Sequence, residues 1–102
     1  MTNRELFRQV IEKVKALNGT AQAKADLFEA EARKIEAATG GAWKAQRLEG
    51  LNGEHIFVGK TGEMLVIDVS GNLFRGSLDL AFHSFIPPNK IRLDYNHLNP
   101  IN

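Results

Sequence analysis

The sequence contains no cysteine. A disulfide scaffold, a thiol nucleophile and a zinc site built from cysteine are therefore excluded, although the compartment stays open. The chain also lacks an excess of either charge, because its formal net charge is only +1 at pH 7. So small a charge gives no bulk attraction to nucleic acid, membranes or acidic partners, and any such binding requires a local cluster of charge.

Long apolar runs are missing as well. None reaches the length of a membrane span, and the N-terminal stretch MTNRELFRQV carries charges where a signal peptide is apolar. We therefore expect no membrane span, and a place in the cytoplasm, either of the producing cell or of a target cell after delivery. His55, His83 and His97 lack the spacing of metal ligands, and the turn at residues 68–72 is too acid-poor for calcium. We expect neither a metal nor a cofactor.

Residues 59–61 read GKT, the ending of a phosphate-binding P-loop. The full pattern requires a glycine at position 54, where this chain has Glu54. The neighbouring residues favour strands, whereas a P-loop needs a flexible loop followed by a helix. We interpret GKT as the tip of a hairpin, with Lys60 in solvent or on the rim of a substrate groove.

A chain of 102 residues with 43% hydrophobic and 25% charged residues predicts a single globular domain, residues 1–102. The period of the apolar residues divides it into a helical half, 1–40, and a sheet half, 41–102. In the helical half, a capping box at Thr2 and a second cap at Thr20 each precede an apolar stripe of helical spacing. Two helices are therefore predicted.

The sheet half shows a period near two, interrupted by turn signals at regular intervals. We predict strands at residues 43–49, 54–58, 63–69 and 72–76, with a further strand at 90–95. The fold class is therefore α+β, with two N-terminal helices packed on one face of a four- or five-stranded antiparallel meander sheet.

Even-length turns would place Val66 between His55 and Arg75 on three neighbouring strands. The row Ile56, Leu65, Ile67 and Phe74 would then face the helices. The opposite side, which we call the open face, would hold His55, Phe57, Met64, Val66, Asp68, Leu73 and Arg75.

The open face combines groups suited to chemistry on a phosphodiester. A histidine moves protons near neutral pH, an arginine holds phosphate through two hydrogen bonds, and an aromatic ring stacks on a base. His83 follows the sheet and is a second candidate for acid–base work. The candidate catalytic residues are His55, Asp68, Arg75 and His83, and the candidate substrate-binding residues are Phe57, Lys60, Lys90 and Arg92.

A purely structural interpretation stays open beside this one. Residues 78–86 can cover the open face, which would leave His55 half-buried and Asp68 paired with Arg75. His83 can likewise be packed between its aromatic neighbours. Turns of odd length would exchange the two faces of the sheet and separate the candidate residues.

The run GEMLVIDVSGNLFRG at residues 62–76 resembles the C-terminal toxin modules of bacterial polymorphic toxins, including contact-dependent inhibition and Rhs-type systems. The layout of residues 42–95 is similar to the barnase-like ribonuclease superfamily. The resemblance implies a small metal-independent ribonuclease, often acting on transfer RNA, that a cognate immunity protein neutralises. It matches Arg75 to an arginine of the sheet, and leaves the acid–base pair open among His55, Asp68 and His83.

The leading hypothesis is thus a toxin that cleaves RNA through attack of the ribose 2′-hydroxyl. One alternative is a non-catalytic protein-binding module, phage- or plasmid-encoded, that binds a partner through Phe57, Met64, Val66 and Leu73. Another is a toxin that modifies a nucleotide or a protein, for example by transferring ADP-ribose. The RNA target, the partner and the oligomeric state stay open.

Overall fold

The structure is a computed structural model that describes residues 1–101. In it, the helical half folds as the sequence predicts. Helix α1 spans Asn3–Lys15 and helix α2 spans Ala21–Ala38. Thr2 and Glu5 form a reciprocal capping box at the start of α1, and the Thr20 hydroxyl accepts a hydrogen bond from the third amide of its helix. These caps satisfy amides that have no partner within a helix. Both predicted helices are confirmed.

The sheet half is larger than predicted and differently connected. Its strands are β1 (Ala45–Gly50), β2 (His55–Gly59), β3 (Glu63–Ile67), β4 (Leu73–Ser77), β5 (Phe82–Ile86), β6 (Lys90–Leu93) and β7 (Asn99–Pro100). A short helix α3 (Leu78–Ala81) and a 3-10 turn (Tyr95–His97) lie between the later strands.

The strands form one seven-stranded sheet in the order β5-β6-β1-β2-β3-β4-β7. Strands β1 and β6 are parallel, and every other neighbouring pair is antiparallel. The α+β class is confirmed, but the prediction of four or five antiparallel strands is wrong. The reason is the C-terminal segment, which returns to pair with β1 on one side and with β4 on the other.

The predicted register is also wrong, by one residue in each hairpin. The last paired residues are Val58 with Met64 and Ile67 with Leu73, so five residues separate the two members of each pair along the chain. These odd-length loops contain Gly62 and Gly71 at φ of 90° and 85°, a conformation that glycine adopts without strain. As a result Phe57 lies opposite Leu65, and the two faces of the sheet are exchanged in part.

The helices pack on the face that carries Phe57, Leu65 and Ile67. The rings of Phe28 and Phe57 have centroids 4.3 Å apart and planes tilted by 31°, an aromatic contact within this layer. Trp43 is buried beside them and donates its Nε1 proton to the Asn3 carbonyl over 3.0 Å. This bond holds the end of α2 next to the start of α1.

The second face of the sheet is covered too, so the predicted open face does not exist. Ile56, Met64 and Val66 pack there against α3, β6 and the C-terminal segment, through Ala81, Ile91, Leu93 and Leu98. Phe57, Met64 and Val66 are 0% exposed, and Leu73 is 7% exposed. The surface assigned to the non-catalytic binding module is therefore interior. Within residues 1–101, no helix has both the length and the apolarity to cross a bilayer.

Candidate active site

A cleft of about 350 Å³ lies between α1 and the end of the sheet formed by β3 and β4. We call it the arginine cleft. Its polar lining consists of Arg4, Arg8, Thr61, Glu63, Arg75, Ser77, His97 and Asn99, and its apolar lining of Phe7, Ile11 and Leu80. The volume is within the range of small-ligand pockets.

Three arginines converge on this cleft from two elements. Arg4 and Arg8 are one turn apart on α1, and Arg75 projects from β4, opposite Leu65 and Asn99. None of the three forms a salt bridge with another residue of the described chain. Unpaired guanidinium groups are strong donors to phosphate oxygens, which they contact in pairs.

Glu63 is the carboxylate of the cleft. It lies opposite Ser77, so it shares a face of the sheet with Arg75. One carboxylate oxygen, Oε2, accepts a hydrogen bond from the Thr61 hydroxyl, and the other, Oε1, is buried without a partner among residues 1–101. The side chain lies over Gly59, where any β-carbon would collide with Oε1. A carboxylate is suited to accept a proton, and because Oε1 is buried, Oε2 is the oxygen that a ligand in the cleft would have to reach.

His97 reaches the cleft from the 3-10 turn. Its Nε2 lies 3.7 Å from Oδ2 of Asp94, and Oδ1 of the same aspartate accepts the Asn96 amide over 3.0 Å. The side chain of His97 is 49% exposed, so water and ligands can reach the imidazole. Gly76 lets the turn approach β4, because a β-carbon there would lie 3.1 Å from the His97 carbonyl oxygen.

A part-buried hydrogen bond fixes the turn that carries His97. The Tyr95 hydroxyl donates to Oε2 of Glu54 over 2.7 Å, and Oε1 of Glu54 accepts the Asn52 amide over 2.9 Å. Glu54 is 5% exposed. The Tyr95 ring also packs edge-on against Phe74, with centroids 5.2 Å apart. Burial, followed by the bond to Glu54, raises the pKa of Tyr95, so the phenol keeps its proton and remains a donor.

His55 lies away from the cleft, at the opposite end of β2. Its Nδ1 is 2.8 Å from Nη2 of Arg47, and Arg47 also pairs with Glu29 over 2.8 Å. Because a guanidinium only donates, Nδ1 accepts and the imidazole is neutral. Burial, followed by the charge of Arg47, lowers the pKa of His55. The histidine is part of a polar network that joins α2 to β1 and β2.

The other two predicted catalytic residues do not join Arg75 either. Asp68 closes the β3–β4 turn, where Oδ1 accepts the amides of Ser70 and Asn72 over 3.0 and 2.8 Å. His83 is exposed on edge strand β5, with Nδ1 3.2 Å from the Ser84 hydroxyl. Arg75 is thus the one member of the predicted set that lines the arginine cleft.

The predicted substrate-binding residues are dispersed. Phe57 has no exposed surface for a base to stack on. Lys90 pairs with Glu49 over 2.9 Å, and Arg92 is exposed on β6. Lys60 lies in the turn beside the cleft, with Nζ 3.5 Å from the Ala42 carbonyl oxygen.

Sequence reasoning missed Arg4, Arg8, Glu63 and His97. The spacing of the two helix arginines, four residues apart beside an apolar stripe, was a usable signal. If the turns had been given an odd length, the prediction would have placed Glu63 on the same face of the sheet as Arg75. No local pattern points to His97, because its position depends on how residues 94–99 return to β4.

The described residues contain no group of three or more histidine, aspartate or glutamate side chains that could hold a metal ion. Comparison with protein-family models, with curated proteins and with solved structures finds no match for this chain. The geometry and charge of the arginine cleft are therefore the basis for assigning a function.

Proposed function

We propose that the protein is a metal-independent ribonuclease whose active site is the arginine cleft. One observation supports this most strongly: three arginines without an acidic partner among residues 1–101 surround a space that also holds one carboxylate and one imidazole. Guanidinium groups bind the phosphate, and the other two groups move protons.

The reaction we propose is an internal transesterification of RNA. Glu63 accepts the proton of the ribose 2′-hydroxyl, and the 2′-oxygen forms a bond to phosphorus. The bond from phosphorus to the 5′-oxygen then breaks, and a protonated His97 donates its proton to that leaving oxygen. The products are a 2′,3′-cyclic phosphate and a 5′-hydroxyl, and no further reactant is consumed.

The arginines supply the electrostatic part of the proposed mechanism. Charge accumulates on the phosphoryl oxygens in the transition state, where preorganised donors contribute most. Arg75 lies on a strand of the sheet, and Arg4 and Arg8 lie on a helix that is capped and packed on it. Their backbones are therefore fixed before the substrate binds, which reduces the cost of reorganisation.

The size and lining of the cleft suit one nucleotide. Leu80, 62% exposed at its edge, supplies most of the apolar surface, whereas Phe7 and Ile11 also line the cleft but are each only 2% exposed. Ser77 and Asn99 add hydrogen-bonding groups that can contact a base or a ribose. A base on the apolar side and a phosphate on the arginine side account for both halves of the lining.

The biological setting rests on the resemblance of residues 62–76 to bacterial toxin modules. We propose a cytotoxic effector that acts on RNA, transfer RNA included, in the cytoplasm of a target cell, and that a cognate immunity protein neutralises. This part of the proposal is independent of the cleft geometry, and a harmless ribonuclease would retain the same mechanism.

The nature of the product tests the chemistry. Purified protein is incubated in EDTA with an end-labelled RNA and with the same RNA carrying 2′-O-methyl groups. We expect cleavage of the first with 2′,3′-cyclic phosphate ends, and no cleavage of the second. Cleavage of the methylated RNA, or no cleavage of either across a panel that includes transfer RNA, contradicts the proposal.

A further inference from the structure

A second groove, of about 490 Å³, lies on the other side of the turn at residues 59–63 from the arginine cleft. We call it the lysine groove. It is lined by Arg33 and Glu36 at the end of α2, by Lys44, Lys60 and Gly59, and by the first residues of β1. We propose that this groove binds the phosphates of nucleotides next to the cleaved one, so that a single-stranded RNA runs across the turn.

The two sites are adjacent in the chain and in space. Lys60 lines the lysine groove, and Thr61, the next residue, lines the arginine cleft. Both sites lie at the same end of the helix layer, because the Trp43–Asn3 hydrogen bond holds the end of α2 beside the start of α1. A strand of a few nucleotides therefore covers both without crossing the core.

The charges in the lysine groove are available to a ligand. Arg33 is neutralised by Glu36, whose carboxylate lies 2.6 Å from its Nη1. Lys44 has no acidic partner among the described residues, and Lys60 contacts only a carbonyl oxygen, at 3.5 Å. Flexible lysines of this kind bind a phosphate backbone as point charges, without reading the bases.

Charge is concentrated at this end of the molecule. Six cationic and two acidic side chains line the cleft and the groove together, a formal charge of +4 where the whole chain carries +1. The remaining residues are therefore net acidic. The net charge of the whole chain does not reveal this local cluster. A continuous cationic path is typical of proteins that bind single-stranded nucleic acid.

The inference rests on the proposed function for its substrate, but its test requires no catalysis. The probes are a dinucleotide and an octanucleotide of 2′-O-methyl RNA, which lack the attacking hydroxyl, and binding is followed by fluorescence anisotropy. The variants are the double substitution Lys44→Ala/Lys60→Ala and, as a matched control, Lys15→Ala, which removes one exposed cation outside both sites.

For the double variant we expect roughly tenfold weaker binding of the octanucleotide and unchanged binding of the dinucleotide. Each phosphate contact on a single strand contributes about 0.7 to the slope of log affinity against log salt concentration. Because the double variant lacks two lysines, we expect this slope to be about 1.4 smaller for the octanucleotide. The control matches the parent. Thermal unfolding by circular dichroism checks that the double variant is folded.

Equal octanucleotide binding by the parent and the double variant overturns the inference. So does a loss that is equal for both probes, since that indicates a general charge effect. If the length-dependent loss occurs in a protein that does not cleave RNA, the lysine groove stands and the proposed ribonuclease activity fails. If the protein cleaves RNA but the double variant shows no length-dependent loss of binding, the proposed ribonuclease activity stands and the lysine groove fails.

Discussion

Glu63 lies directly opposite Ser77 in the β3–β4 ladder, two residues along from the pair formed by Leu65 and Arg75. Residues two apart on a strand point to the same side, so the carboxylate and the guanidinium both face the layer of helices. At this end of the sheet, the space between the helices and the sheet is an open cleft and not packed core. The same strand pair thus contributes a buried leucine and two charged groups to one face.

The structural role of Phe57 predicts a large loss of stability on truncation. Its ring is fully buried against Phe28, so Phe57→Ala leaves a cavity and is expected to cost about 3–5 kcal/mol of the free energy of unfolding. Urea denaturation followed by circular dichroism measures this cost. A change below about 1 kcal/mol would contradict the buried placement and would restore the ring as a surface for stacking.

The Tyr95–Glu54 hydrogen bond is expected to position His97. Tyr95→Phe removes the donor and leaves Oε2 of a buried carboxylate without its partner, which costs about 1–3 kcal/mol. If the turn shifts as a result, the cleavage rate falls while the KM for RNA changes little, because the arginines stay in place. NMR shifts of the His97 ring test the same point without activity.

The matched control for that substitution is Phe85, another aromatic residue, which lies on β5 with 55% of its surface exposed. Because so exposed a ring contributes little to the core, Phe85→Leu should leave both the stability and the His97 signals unchanged. Unaltered His97 signals in the Tyr95→Phe protein would show that the bond stabilises the fold without positioning the histidine.

His55 makes the stability of the protein depend on pH. Folding lowers its pKa from the ordinary value of 6.5, so the unfolded chain takes up this proton first as the pH falls. Stability is therefore full above about pH 6.5 and decreases as the pH falls through that value towards the folded pKa. Between about pH 8 and pH 5, the parent should lose more stability than the His55→Gln variant.

Urea unfolding at each pH measures the difference, and His83→Gln, which replaces an exposed histidine on an edge strand, is the matched comparison. Identical pH dependence of the parent and the His55→Gln protein would contradict the contact between His55 and Arg47. The sign of the effect is the decisive feature, because a histidine paired with a carboxylate would give the opposite trend.

Local signals in the sequence were sufficient for the helices, for the first four strands and for β6, which was predicted at residues 90–95 and spans Lys90–Leu93. The caps at Thr2 and Thr20 and the change of period at residues 40–41 are local, and each appears in the structure. Strand β7 depends on pairing between distant residues, such as Arg75 with Asn99, which no local pattern encodes. The length of β7, only two residues, adds to the difficulty. Strand β5 pairs only with the next strand, β6, and a register shift between Phe82 and Ser84 interrupts its alternation.

The candidate site was harder to predict because register decides which side chains share a face. A single residue in the length of each turn moved Leu65 to the face of Phe57, and Met64 and Val66 to the opposite face. Arg75 was identified from its residue type and its strand. Its partners in the cleft come from α1 and from the C-terminal turn, which the predicted meander did not bring near it.

The measurement that tests the central claim most directly is the RNA cleavage rate of two pairs of variants in EDTA. Arg75→Ala and His97→Gln alter the arginine cleft, whereas Arg92→Ala and His83→Gln replace residues of the same types elsewhere on the sheet. We predict that each change in the cleft lowers the rate by about 100-fold or more, and that the second pair keeps the parental rate. Full activity in both cleft variants, or its loss in the second pair, would contradict this account.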